Sequence, residues 1–145
     1  MFLGKYFCNL DEEHHFLAPD GFRKYLSGSL YITQGFDNNL WVFSTDAFQG
    51  IYKNLGRMNI ADPLARLLFR MILGAATEIG VTDQGYLEIP DALREYGLIE
   101  NQVLLIGQGN YFEIWSPKLW NLQEQELKNT VSNIERFAAF EITTR

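Results

Sequence analysis

Ala18-Pro19-Asp20-Gly21-Phe22-Arg23-Lys24-Tyr25 and Ile89-Pro90-Asp91-Ala92-Leu93-Arg94-Glu95-Tyr96 are two copies of one pattern, 71 residues apart from Pro19 to Pro90. Pro, Asp, Arg and Tyr recur at the same spacing, and Phe22 is matched by the apolar Leu93. Self-similarity of this kind predicts a chain built from two copies of one supersecondary unit. The flanks extend the match. Leu30-Tyr31-Ile32-Thr33 and Leu40-Trp41-Val42-Phe43-Ser44 follow the first copy; Val103-Leu104-Leu105-Ile106 and Phe112-Glu113-Ile114-Trp115-Ser116 follow the second.

Each unit reads as a strand, a polar turn, a short strand ending at Pro, one short helix and a hairpin, or ββαββ. Asp20 and Asp91 follow the prolines and are expected to cap the helices by accepting their first amides. Asp37-Asn38-Asn39 and Gly107-Gln108-Gly109-Asn110 supply hairpin turns that tolerate positive φ.

Between the units, Thr45 to Asn54 reads as a helix broken by Gly56 and Asn59. Asp62-Pro63 then restarts one as N-cap and first-turn proline. Leu64, Leu67, Leu68, Met71 and Ile72 form a helical stripe, which Ala65, Phe69 and Leu73 widen until only Arg66 and Arg70 stay polar. Such a helix is expected to pack on two sides. Pro117 to about Asn129 reads as a further helix, with Trp120 in the place of Phe48. The rest, ending in Glu141-Ile142-Thr143-Thr144-Arg145, carries weak signals and is expected to be a partly ordered tail. The expected division is 1–57 for the first unit, 58–73 for a linker helix, 74–123 for the second unit and 124–145 for a C-terminal helix and tail.

The 145 residues are 47% apolar and 14% aromatic, enough to bury a core in one domain or two very small ones. The apolar stretch Leu67 to Ala76 is interrupted by Arg70 and falls short of the roughly 20 residues needed to cross a bilayer, so no membrane partner is expected. The N-terminus lacks a secretory pattern and the lone Cys8 cannot form an internal disulfide, which points to a reducing cytoplasm. A net charge of −6 opposes phosphate unless the twelve Lys and Arg side chains gather on one face.

Cys8, Asp11, His14 and His15 lie close in sequence, but a Cys nucleophile needs a His held by an orienting partner, and the sequence identifies none. Neither an enzyme nor a small-molecule substrate is expected. Asp11, Glu12, Glu13, His14 and His15 offer metal ligands in one turn. Zinc draws its ligands from separated positions, however, and adjacent His side chains in a strand diverge. No metal or other cofactor is expected.

Further residues carry a resemblance. Phe2-Leu3-Gly4, Asp11 before a strand ending in Pro19, Phe22-Arg23, Arg70 and Leu73-Gly74-Ala75, Gly85 before Ile89-Pro90, Leu93-Arg94, Leu104-Leu105-Ile106-Gly107-Gln108 and Phe112-Glu113-Ile114-Trp115 together resemble the MraZ family. That family belongs to the AbrB-like group of DNA-binding proteins, and the match covers roughly residues 1–123. The resemblance implies an α+β fold in which the two ββαββ repeats share one pseudo-symmetric β-barrel of swapped-hairpin or double-split type, with linking helices. It also implies a homo-oligomeric ring that is nucleoid-associated and binds double-stranded promoter DNA upstream of cell-division and cell-wall genes.

Each family unit usually carries Asp-x-x-Gly-Arg before the short strand that leads to Pro. Here the copies read Asp11-Glu12-Glu13-His14-His15 and Thr82-Asp83-Gln84-Gly85-Tyr86, so the Asp and the Gly each appear once and the Arg not at all. Positions matching the basic side chains of AbrB-like relatives are Cys8, His15, Arg23 and Lys24, then Ile79, Tyr86, Arg94 and Glu95. Candidate DNA contacts are therefore Lys5, His14, His15, Arg23, Lys24, Tyr86 and Arg94. Structural readings stand beside them: His14 and His15 as exposed turn residues, Arg23 and Arg94 as salt-bridge partners of Asp20 and Asp91. A His or Tyr replaces the planar fork of Arg only in part, so direct readout is expected to be weaker. The alternative is a ring of this scaffold that has lost DNA readout and serves a protein-interaction or structural role, since Glu12 and Glu13 repel phosphate.

Overall fold

The computed structural model describes residues 1–143; of the expected tail, positions 144 and 145 lie outside the described residues. Eight strands and six helices follow in the order β1 (Lys5–Asn9), β2 (His15–Leu17), α1 (Asp20–Arg23), β3 (Ser29–Gln34), β4 (Leu40–Ser44), α2 (Thr45–Gly56), α3 (Pro63–Ile72), β5 (Thr77–Gly80), β6 (Tyr86–Glu88), α4 (Asp91–Tyr96), β7 (Gln102–Gly107), β8 (Tyr111–Trp115), α5 (Pro117–Lys128) and α6 (Thr130–Phe137). The mixed α+β class is as expected. Both units have the order strand, short strand, helix, hairpin.

The pairing crosses between the units. An antiparallel six-stranded sheet runs β1-β7-β8-β4-β3-β5, and a separate ribbon joins β2 to β6. Thus β1 of the first unit pairs with β7 of the second, and β5 of the second with β3 of the first. In the ribbon Phe16 faces Leu87, and at the centre of the sheet Trp41 faces Glu113. The six-stranded ladder is open, with β1 and β5 as its edges, so its hydrogen bonds do not close one barrel.

Alternation along the strands builds the core. Leu30, Ile32, Leu40, Val42, Val103, Leu105, Phe112 and Ile114 are buried on one face of the sheet, against Phe16 and Leu87 of the ribbon and Phe22 and Leu93 of the short helices. Phe22 meets Phe2 and Phe112 with ring centroids 5.1 and 5.0 Å away, which draws the N-terminal segment into the core. That segment crosses β7 at Gly107, where a Cβ would lie 2.4 Å from the Leu3 amide, so only Gly fits.

The opposite face carries Trp41, Phe43, Tyr111, Glu113 and Trp115, partly covered by α2 and α5. The side chains of Ser44 and Ser116 cap these helices by accepting the amides of Ala47 and Leu119. Trp115 Nε1 donates to Glu113 at 3.0 Å, but burial outweighs such hydrogen bonds and pushes the Glu113 carboxyl above its ordinary range.

Two expectations need correction. Asp20 and Asp91 do not cap α1 and α4, whose N-cap positions are Pro19 and Pro90 with no side-chain cap. Each Asp lies inside the first turn instead and pairs with the Arg three residues on. α6 is also a defined helix in a stretch whose sequence signals are weak. The linker helix matches its reading. Asp62 caps α3 by accepting the Leu64 amide at 2.9 Å, and Pro63 opens it. Its two-sided stripe is only half covered: Ala65 and Ile72 are buried, while Leu64 and Leu67 are 71% and 60% exposed.

Candidate nucleic-acid interface

The β2·β6 ribbon is entered through two turns of the same design. In the first, Asp11 Oδ1 accepts the amides of Glu13 and His15 at 2.9 Å each, and the His15 carbonyl accepts the Asp11 amide. These amides hold the Asp11 carboxyl below its ordinary range, the His15 amide most of all. In the second turn Thr82 does the equivalent work: its hydroxyl accepts the Tyr86 amide at 2.9 Å, and its own amide donates to the Tyr86 carbonyl. A hydroxyl there stands where the first turn has the Asp11 carboxylate.

The fourth motif position needs a left-handed backbone. Gly85 has φ +95 and His14 φ +65. Each turn then locks the far end of the other unit's short strand. The Gly85 carbonyl accepts the Ala18 amide at 2.9 Å, and the His14 carbonyl accepts the Ile89 amide at 3.1 Å.

These locks put His15 and Tyr86, the two positions that match the motif arginines, on one ribbon between two grooves. One groove, about 390 Å³, is lined by β5 residues together with His15, Thr82, Tyr86 and Glu88. The other, about 410 Å³, is lined by β1 residues together with Asp11, His15, Leu17 and Tyr86. His15 and Tyr86 border both. His15 lies opposite Glu88 in the ribbon, and its Nδ1 is 3.8 Å from Asp11. Glu78 also lines the first groove. The His15 imidazole therefore sits among the carboxylates of Asp11, Glu78 and Glu88.

The remaining candidates are placed differently. Arg23 Nη2 donates to the Ala18 carbonyl at 2.9 Å and pairs with Asp20 at 3.2 Å. Arg94 Nε donates to the Ile89 carbonyl at 3.2 Å and pairs with Asp91. Each arginine thus fastens the residue before its proline to the short helix, the salt-bridge reading with a backbone contact added. Lys5 lies over the Trp120 ring, 4.9 Å from its centroid, and Lys24 over Tyr25 at 5.2 Å. The linings of the two grooves include neither lysine. His14 and His15 are half-buried rather than exposed.

Cys8 is half-buried in the β1 groove, its thiol 3.8 Å from the Leu17 carbonyl, and burial pushes the thiol's pKa up. That is the reverse of the shift that activates a nucleophilic cysteine. No helix among the described residues is long and apolar enough to cross a membrane.

A family model described as "MraZ protein, putative antitoxin-like" matches the chain twice, over residues 1–71 and 72–139. The chain belongs to the MraZ family. The two MraZ matches meet at the last turn of α3, between positions 71 and 72, so each contains one motif turn. Curated relatives named "Transcriptional regulator MraZ" include one from Herpetosiphon aurantiacus, 34% identical over 83% of this chain and 84% of its own. One from Caldanaerobacter subterraneus is 34% identical over 95% of this chain and 94% of its own, and one from Natranaerobius thermophilus 29% over 98% and 100%. Within this chain the two motif turns share one backbone geometry, and the residues that follow them are His15 and Tyr86.

Proposed function

We propose that the chain is a sequence-specific DNA-binding transcriptional regulator of cell-division and cell-wall genes, acting in the cytoplasm at the nucleoid as a homo-oligomeric ring. The observation that carries this reading is the pair of intact motif turns, which present His15 and Tyr86 on one ribbon between two grooves. A turn kept by Asp11 in one unit and by a different residue, Thr82, in the other points to use of the ribbon itself. The name shared by the relatives is that of a regulator rather than an enzyme, and the raised Cys8 thiol agrees with that.

We read the fold as one pseudo-symmetric body with a barrel-like interior. Phe16 and Leu87 are counterparts in the repeat and face each other in the ribbon; Trp41 and Glu113 are counterparts and face each other in the sheet. Pairing of equivalent residues in two separate ladders is what a two-fold axis through both requires. The axis relates unit 1–57 to unit 74–123, with 58–73 linking them and 124–145 appended.

On DNA, His15 would meet a phosphate or a base edge and Tyr86 would offer one hydroxyl, both weaker than a bidentate Arg. Arg23, Arg94, Lys5 and Lys24 would contribute to the field around the ribbon rather than to base contacts, and His14 shapes the turn. A ring compensates by presenting many ribbons at once. Exposed Leu64 and Leu67 on α3 support self-association.

A second reading, a ring that has lost DNA readout and serves protein interaction, is favoured by the carboxylates of Asp11, Glu78 and Glu88 around the grooves. Gel retardation separates the two. The regulator reading expects retardation of DNA from upstream of the chain's own gene, but not of a scrambled fragment, with affinity that falls as salt rises. Equal treatment of both fragments at low salt would support the second reading.

A further inference from the structure

Two apolar surfaces are left in water by the fold. One is a groove of about 590 Å³ between α2 and α3, lined by Tyr52, Leu55, Ile60, Phe69 and Leu73, with Lys53 and Arg57 also in its lining. Among the described residues neither of these cations takes part in an ion pair. The other surface belongs to α6, where Ile134 and Phe137 are 63% and 51% exposed at i, i+3 spacing, and Phe140 and Ile142 follow, also exposed. Glu135 and Glu141 lie among them, again without an ion pair.

We propose that α6 and the residues after it, through Ile142, dock into the α2–α3 groove of a neighbouring copy of this chain. The two surfaces match in character: an apolar groove edged by two unpaired cations, and an apolar helix edge flanked by two unpaired carboxylates. The helix starts on the same face of the sheet as its own groove but at the other end of it. α6 is tied to α5 through Arg136–Glu126 and through Asn133, whose side-chain amide donates to the Glu126 carbonyl. α5 packs on β7, whereas α2 and α3 pack on β3, three strands further along the sheet. Because groove and helix are different surfaces, the contact runs head to tail and repeats from copy to copy until a ring closes. The inference rests on the ring reading above, since it needs a neighbouring groove.

Cross-linking and mass measurement test it on the full chain. In a Cys8→Ser background, chains carrying Ile60→Cys are mixed with chains carrying Phe140→Cys under mild oxidation; a disulfide dimer in the mixture, and in neither sample alone, is expected. Phe137→Asp should raise the dissociation constant for self-association by at least about tenfold, a typical loss for an apolar anchor in a packed contact. Arg57→Glu and Glu135→Arg should each weaken assembly and restore part of it when combined, which keeps the test open if Phe137→Asp fails to fold. A wild-type chain that is monomeric at micromolar concentration would overturn the ring reading and this contact together. An assembled wild type that is indifferent to Phe137→Asp and gives no mixed cross-link would overturn the contact and leave the ring. A cross-link formed within one dilute chain carrying both cysteines would overturn it in favour of the chain's own groove.

Discussion

Arg23 lies against Gly85 of the other unit's motif turn, so that a Cβ built on Gly85 would sit 2.9 Å from Arg23 Nε and 3.0 Å from its Cδ. The same Arg23 holds the Ala18 carbonyl, while the Gly85 carbonyl accepts the Ala18 amide. One arginine therefore joins the short strand of the first unit to the turn of the second.

Gly85→Ala should destabilise the chain by about 1–3 kcal/mol, through the positive φ and the crowding of Arg23 together. Adding Arg23→Ala removes the crowding but not the φ penalty, so the double variant should lose less than the sum of the two single losses. His14→Gly, at φ +65, should cost little or nothing. Denaturant midpoints of the four variants check all three statements.

Thr82 and Asp11 hold equivalent turns by different chemistry. Thr82→Val removes the acceptor of the Tyr86 amide and should cost about 0.5–1.5 kcal/mol. Thr82→Asp should be tolerated, because a carboxylate in that place already serves the first turn. The Asp11 carboxyl is held low in the folded chain, so its contribution is present above the ordinary carboxylate range and is lost as pH falls through the lowered value. Acid unfolding of Asp11→Asn should begin from lower stability and show a shallower decline than the wild type.

Glu113 has the opposite sign. Its folded carboxyl titrates above the unfolded value near 4.5, so between those two values the folded chain keeps a proton that the unfolded chain has lost. Stability must then decline as pH rises across that window, and the penalty persists at neutral pH. Glu113→Gln keeps an oxygen for Trp115 Nε1 and should raise the thermal midpoint at pH 7 while flattening the slope above pH 4.5. Asp37, which pushes the Glu113 carboxyl in the same direction, makes Asp37→Asn a weaker variant of the same kind.

The repeat around Pro19 and Pro90 made the order of elements legible, since a pattern of Pro, Asp, Arg and Tyr constrains the local backbone twice in the same way. The cap assignment failed because Pro, with φ near −60, already fits the N-cap backbone; Asp20 and Asp91 then fall one position later, within reach of Arg23 and Arg94. Thr82 was illegible as a motif residue because a hydroxyl and a carboxylate share only their acceptor oxygen, and only the folded turn reveals that this oxygen is all the turn needs. The exchange of β1 and β5 between units could not be read from hydrophobic alternation, which gives the buried face of a strand but not its neighbour. α6 hid for a related reason, since its apolar residues face water and so make no continuous stripe with α5.

We propose that the ribbon carrying His15 and Tyr86 meets DNA, with His15 in the place of an arginine. An imidazole beside Asp11, Glu78, Glu88 and Tyr86 offers less than an arginine's planar fork, so affinity for the chain's own upstream DNA should be modest and should fall as salt rises. His15→Arg should raise affinity by about 1–3 kcal/mol. The decisive measurement is a retardation titration of wild type and His15→Arg at low and high salt against the upstream fragment and a scrambled one. Tighter and sequence-selective binding by His15→Arg is the predicted result; two proteins that treat both fragments alike at either salt concentration would contradict it.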